Sequence, residues 1–388
     1  MDQIILPTGD RVTNTEQAIV INLAGPRRVL STSVLNGGCR DDLRFLFNYC
    51  EVEGPADELC EMRAATYEEH LRILAEELGL DPRTATGLST AAKMKYAKLQ
   101  SEFYRDFSVT ALVTGGVDVN GSRAGDPGLW HEQDGVPCSV EPGTINIFIF
   151  VGARLQAAAL TRALVTVTEA KTAALQEVLA PSCYSRGLAT GSGTDGTIIV
   201  SNLEAKVALS DAGQHSKLGE YLGRVVKNTL KEALVAENGF AAYACSSMLR
   251  RIGRFGIDEA SLWELYRSLG RPGGLERETF RQSLKAPDKD RGLLALAPLY
   301  AHILDLLDWN LIGPEEAASL AADLLVGEAE GRGERRGFKQ AGCVDGANFG
   351  RYLSGLPADL KGKTNREAVE QLTGCFARFL IERLIKLS

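Results

Sequence analysis

The chain has few of the residues that usually announce a catalytic or metal centre. Its 388 residues include only four histidines, at positions 70, 131, 215 and 302. The eight cysteines (39, 50, 60, 138, 183, 245, 343 and 375) are scattered, and no two form a Cys-x-x-Cys pair. That spacing argues against a zinc ribbon or a disulfide framework and fits reduced, structural thiols in the cytoplasm. Basic charge is not in excess either: the formal net charge is −7, which gives no general affinity for nucleic acid or an anionic membrane. The longest apolar run, Ile145 to Val151, contains Asn146 and is far too short to span a bilayer. The opening Met1-Asp2-Gln3-Ile4-Ile5-Leu6-Pro7 has no basic n-region, so no signal peptide is expected. The Gly-rich turn 191–196 lacks the Gly-Lys-Ser/Thr ending of a nucleotide P-loop, and a Gly-x-Ser-x-Gly elbow and solenoid repeats are also missing.

What is present is ordinary globular composition, 45% hydrophobic and 24% charged, in a chain long enough for two domains. Gln17 to Leu23 and Arg28 to Ser33 read as strands, and Ala24-Gly25-Pro26-Arg27 between them reads as a hairpin turn. Phe45 to Tyr49 continues as a strand. Thr66-Tyr67-Glu68-Glu69 has capping-box spacing and opens a helix that ends near Gly79. Further strands are expected at Val109 to Thr114, Thr144 to Val151 and Thr197 to Ser201. A long helix is predicted from about Leu155 to Leu179, with Leu160, Leu164, Val167, Lys171, Ala174 and Val178 on one face. A second begins at Ser216 and runs to about Glu237. Beyond it the pattern is helical: 241–251, 259–269, 293–311, 314–325 and 365–387, with Gly327 to Gly346 expected as an exposed loop. The fold class is therefore α/β, a mixed sheet with long flanking helices, followed by an all-helical C-terminal region. The expected domains are 1–237 and 238–388.

Polar residues concentrate in a few places. Asn36 and Gly37 follow a strand, where glycine lets backbone approach a ligand. Asn120, Arg123 and Asp126 lie in a long polar loop, with Glu132 beyond it. Glu169 and Lys171 sit mid-helix on different faces, and Lys171 falls on the otherwise apolar stripe. A lysine there must be paired or line a cleft. Gly191-Ser192-Gly193-Thr194-Asp195-Gly196 can offer backbone N–H groups to an anion or oxyanion. His215, Ser216 and Lys217 stand at the start of the second long helix, where unpaired N–H groups and partial positive charge gather.

Seven of these stretches, in order, resemble the adenosylcobinamide amidohydrolase (CbiZ) family. They are Arg28 to Gly38, Thr86 to Met94, Arg123 to Pro127, Gly143 to Ile147, Thr166 to Glu177, Tyr184 to Gly196 and Gly213 to Gly219. The resemblance covers about residues 27 to 236. It implies hydrolysis of the amide joining the aminopropanol arm to the corrin ring, with a corrinoid as substrate rather than cofactor, in salvage for cobalamin biosynthesis. Amide hydrolysis needs a nucleophile, a base, an oxyanion site and a proton for the amine. Glu169 or His215 is the expected base, acting on water or on a hydroxyl such as Thr194 or Ser216, and Lys171 the expected proton donor. Asn36, Gly37, Asn120, Arg123, Asp126, Glu132, Gly193, Asp195, Ser216 and Lys217 are expected to bind substrate. Asp126, Glu132, Glu169, Asp195 and His215 supply enough ligand atoms for a metal-assisted version, which stays open, but no metal-ligand spacing links them and no metal or other cofactor is assigned. A corrinoid-binding protein without activity, or a hydrolase for another bulky amide, stays open. So does a homo-oligomer.

Overall fold

The computed structural model describes residues 2–53, 58–59, 62–128, 144–239, 246–270, 274–335 and 346–385. Met1–Phe240 and Ala241–Ser388 form two compact units.

In the first unit the chain forms β1 (Asp2–Ile5), β2 (Arg11–Asn14), β3 (Ala18–Asn22), β4 (Arg27–Ser31), β5 (Gly38–Arg40) and β6 (Phe45–Cys50). Two short strands, β7 (Val52–Glu53) and β8 (Glu58–Leu59), lead to α1 (Tyr67–Glu77). Next come β9 (Ala85–Thr90), β10 (Lys98–Tyr104), β11 (Phe107–Gly115), β12 (Gly121–Ser122), β13 (Ile145–Val151) and β14 (Arg154–Leu155). The unit ends with α2 (Ala157–Glu177), β15 (Gly191–Ser192), β16 (Gly196–Asn202), β17 (Ala208–Leu209) and α3 (Lys217–Asn238).

Two mixed sheets result, in the orders β1-β2-β3-β6-β9 and β10-β11-β13-β16-β4-β5. Each holds one parallel pair, β6 with β9 and β13 with β16, and each pair is joined through a helix. Period-two alternation sorts the side chains into layers. From β13, Ile145, Ile147, Ile149 and Val151 pack with Leu160 and Val167 of α2 and Leu222 and Val226 of α3. Phe148 and Phe150 of the same strand turn the other way and meet Ile19, Ile21 and Leu46 of the first sheet. The far face of that sheet, through Phe47 and Tyr49, is covered by Leu71 and Leu74 of α1. The order of layers is α1, sheet, sheet, then α2 with α3.

The helix ends follow their caps. Thr66 accepts the Glu69 N–H at 3.2 Å, but the other half of the expected capping box is not the role of Glu69, whose carboxylate accepts from Arg72 at 3.0 Å. Gly79, just past α1, has φ +72°. Ser216 caps α3 by accepting the Gly219 N–H at 3.0 Å.

The expected hairpin between β3 and β4 is a correction: the two strands lie in different sheets. Arg27, at the start of β4, is buried. Its guanidinium reaches Asp10 (3.1 Å), Asn202 Oδ1 (2.9 Å) and the Thr8 carbonyl (2.8 Å). Asp10 also accepts the Ala24 N–H at 2.8 Å. This buried pair carries the 24–26 turn from one sheet to the other.

The second unit is helical: α4 (Met248–Ile252), α5 (Glu259–Ser268), α6 (Arg277–Ser283), α7 (Lys285–Asp288), α8 (Arg291–Asp308), α9 (Pro314–Arg335), α10 (Gly346–Asp359) and α11 (Asn365–Ile385). The Tyr300 ring of α8 packs tilted against Phe376 of α11, centroids 4.6 Å apart, and its hydroxyl donates to the Leu372 carbonyl at 2.8 Å. Of the loop expected from Gly327 to Gly346, residues 327–335 instead continue α9, and 336–345 lie outside the described residues. Glu328 accepts from Arg383 of α11 at 3.0 Å, and this pair holds the extra turn.

Candidate active site

Lys171 and Asp195 are the centre of the candidate site. α2 carries Lys171 past the turn that precedes β16, and Lys171 Nζ pairs with Asp195 Oδ2. The lysine that broke the apolar stripe is thus part-buried and neutralised, as burial of an ammonium requires. Asp195 takes three further hydrogen bonds. Its Oδ1 accepts Ser192 Oγ–H at 2.6 Å and the Ile145 N–H at 3.0 Å, and its Oδ2 accepts the Ser192 N–H at 3.0 Å. The carboxylate therefore ties α2, the glycine turn and the first residue of β13 together.

The 120–127 loop joins this corner. β12 pairs with β15, the Thr190 N–H donates to the Ser122 carbonyl at 2.8 Å, and the Ala124 N–H donates to Thr190 Oγ1 at 2.9 Å. Asp126 accepts from Ser182 Oγ at 2.6 Å and from the Arg123 N–H at 2.7 Å. Burial pushes the Asp126 carboxyl up. Hydrogen bonds from Ser182, Ser185 and the Arg123 N–H, with the Arg123 charge, outweigh it and hold the group below the usual carboxylate range. Asn120 is buried beside them. Gly193 and Thr194 are exposed at the tip of the turn.

Behind this corner runs a buried polar network that the sequence reading did not find. Asn146 Nδ2 donates to Asn48 Oδ1 (2.8 Å) and to the Ser89 carbonyl (3.0 Å), and Asn48 Nδ2 donates to Thr114 Oγ1 (2.8 Å). Ser89 Oγ shares a hydrogen bond with Tyr67 at 2.9 Å. Among the described residues, the buried oxygens Asn146 Oδ1 and Thr144 Oγ1 have no hydrogen-bond partner. One signal was available: an asparagine inside the longest apolar run, where only a polar neighbour makes it tolerable.

The remaining expected residues make other contacts. Glu169 is exposed and accepts from Gln214 at 2.6 Å. His215 is exposed in the turn before α3, Ser216 is the cap of that helix, and Lys217 pairs with Glu220 at 2.7 Å. Asn36 has φ +52°; it donates to the Pro82 and Ala85 carbonyls at 2.7 Å and accepts from Arg40, which fastens the β4–β5 turn to β9. Gly37 passes so close to the Ser33 carbonyl that a Cβ would lie 2.0 Å from it. Glu132 lies outside the described residues. Among the described residues no three His, Cys, Asp or Glu side chains gather as a metal-binding group. No described helix is long and apolar enough to cross a membrane.

The first unit is thus an α/β domain of two stacked mixed sheets, with a hydroxyl, a carboxylate and an ammonium joined at one corner. The sequence model of the adenosylcobinamide amidohydrolase (CbiZ) family matches residues 4–242. That is more than half of the chain, and the chain belongs to this family. It is similar to an uncharacterized protein of Methanocaldococcus jannaschii, 28% identical over 240 residues, covering 59% of this chain and 90% of the other. A Pyrococcus horikoshii protein of known crystal structure aligns with TM-score 0.31 and 14% identity, over 60% of this chain and 83% of that one.

Proposed function

We propose that this chain hydrolyses the amide that joins the aminopropanol arm of adenosylcobinamide to its corrin ring. The products are adenosylcobyric acid and 1-amino-2-propanol, a step of corrinoid salvage. The observation that carries this reading is the family match over residues 4–242, which spans the whole polar corner. The chemistry of that corner supports it. Lys171, held by Asp195, offers positive charge to a tetrahedral oxyanion and a proton to the departing amine. Asp195, with four donors around it, serves first as the group that fixes Lys171 and the glycine turn. Glu169, exposed on α2 where it accepts from Gln214, and His215, exposed in the turn before α3, are the alternatives to Asp195 for proton removal. Arg123 and Asp126, in the loop that joins this corner, are the groups we assign to the substrate's polar periphery.

The test is incubation of the full chain with adenosylcobinamide, with and without prior chelation, followed by mass analysis of the corrinoid. Adenosylcobyric acid and free aminopropanol are the expected products. A corrinoid that binds and comes off unchanged would make this a binding protein instead. Near-native turnover by a folded Glu169→Gln variant would remove Glu169 from the mechanism.

A further inference from the structure

The hydroxyl in direct contact with the site carboxylate belongs to Ser192, not to Thr194 or Ser216. Ser192 Oγ donates to Asp195 Oδ1 at 2.6 Å, and Lys171 Nζ holds the other oxygen of the same carboxylate. The Thr194 N–H donates to Ser192 Oγ at 3.4 Å. Two glycines shape the surroundings. A Cβ on Gly191 would stand 2.4 Å from Asp195 Oδ2 and 2.8 Å from Lys171 Nζ, so only glycine lets the backbone pass against the ion pair. A Cβ on Gly193 would meet nothing within 4 Å, which leaves the turn open beside Ser192. Ser192 itself is neither buried nor fully exposed. A serine bonded to a base, a third group orienting that base, and free approach are the features of an activated nucleophile.

We propose that Ser192 is the nucleophile of the amide hydrolysis, an inference that rests on the reading of this domain as an amide hydrolase. Ser192 Oγ adds to the carbonyl carbon of the substrate's secondary amide while its proton passes to Asp195. The C–N bond then breaks. Lys171 gives one proton to the departing nitrogen and recovers one from Asp195 through the bond between them. The amine leaves and the acyl group stays as an ester on Ser192. Water adds to that ester and passes a proton through Asp195 back to Ser192 Oγ as the C–O bond breaks, releasing the carboxylic acid. No electrons are exchanged with any other molecule.

The experiment uses the full chain, adenosylcobinamide and hydroxylamine as a competing acceptor, with both the amine and the corrinoid products measured. An acyl intermediate gives a corrinoid hydroxamate in place of the free acid, while amine release stays constant or saturates. No hydroxamate, or amine release rising in proportion to hydroxylamine, means that direct attack replaces the serine and overturns the proposal. Ser192→Ala is expected to lower amine release at least 100-fold while the protein still binds the corrinoid, and Ser192→Thr to recover part of it. A folded Ser192→Ala chain within tenfold of the unsubstituted rate would also overturn it. Should the alanine variant not fold, the hydroxylamine experiment on the unsubstituted chain still decides. If that chain releases no amine at all, the amidohydrolase reading itself fails, a result distinct from either outcome above.

Discussion

Replacing Lys171 by methionine removes the ammonium and keeps most of the aliphatic stem. The side chains of Lys171 and Asp195 are only 13% and 10% exposed, so solvent screens the pair weakly. Removing one partner of a buried pair costs about 3 to 5 kcal/mol when the other charge is stranded. Asp195 is not fully stranded here, because Ser192 Oγ, the Ser192 N–H and the Ile145 N–H still donate to it. What is lost is one charge-assisted hydrogen bond of the four, and the expected cost is about 2 to 3 kcal/mol. For a unit of this size that lowers Tm by about 4 to 12 °C. The assay is scanning calorimetry of the full chain for Lys171→Met, Asp195→Asn and the double variant. The cycle should show a coupling of about 2 kcal/mol, since the asparagine variant has already lost the charge that Lys171 neutralises. A coupling near zero, with Tm of Lys171→Met unchanged within about 1 °C, would refute the claim that this pair organises the glycine turn.

Gly219→Ala would place a Cβ 1.9 Å from the Gly213 carbonyl oxygen, which both the N–H and the Oγ–H of Ser216 use at 2.8 Å. We expect a loss of about 2 kcal/mol or more in denaturant unfolding; an unchanged midpoint would show that the turn moves aside freely. Lys227 and Lys231 hold the Glu177 oxygens at 2.7 and 2.6 Å and depress its carboxyl below the ordinary 4.5. A depressed carboxyl stabilises the fold above its unfolded pKa, and the contribution is lost as pH falls through the folded value. Glu177 is 43% exposed, so Glu177→Gln should cost at most about 1 kcal/mol at pH 7 in low salt, and progressively less as pH falls below the unfolded value or as salt rises to about 1 M. A stability difference that does not shrink with falling pH would contradict this. Burial pushes the Cys375 thiol up to about 12, so iodoacetamide at pH 8 should label exposed Cys39 and Cys183 in the native chain and Cys375 only after unfolding. Equal labelling of all three before unfolding would show that the α8–α11 core opens readily.

How much of the fold was legible depended on whether burial there is apolar. α2 and α3 were read to within a few residues because their leucines, valines and alanines recur at helical spacing. β9 was not expected as a strand, since Ala-Thr-Gly-Leu-Ser-Thr has no apolar alternation. It is buried all the same, because Thr86 shares a hydrogen bond with Ser31 at 3.0 Å and Gly87 leaves room for the Phe47 ring, 2.2 Å from where a Cβ would stand. β10 escaped for the opposite reason: it is an edge strand whose positions are half-buried except for exposed Phe103. The assignment of β3 and β4 to separate sheets turns on Asp10 meeting Arg27, a contact across 17 positions that local turn chemistry does not encode.

The site divides along the same line. A lysine on an apolar face demanded a partner, and the sequence supplied the demand without the identity; Asp195, 24 residues away, meets it because α2 returns the chain to the start of β16. Glu169 looked equivalent to Lys171 only because the two are neighbours in sequence. Two residues apart on a helix they diverge by about 200°, and Glu169 ends on solvent with Gln214. Ser192 was hidden by its own ordinariness, one hydroxyl among several in a glycine-rich turn. What singles it out is the direction of one hydrogen bond to a carboxylate already bound by a cation, and that direction exists only once β13, α2 and β16 are assembled. In this chain the elements follow from side-chain period, whereas the site follows from topology, since its lysine, carboxylate and asparagine come from three segments that meet only where β13 and β16 begin.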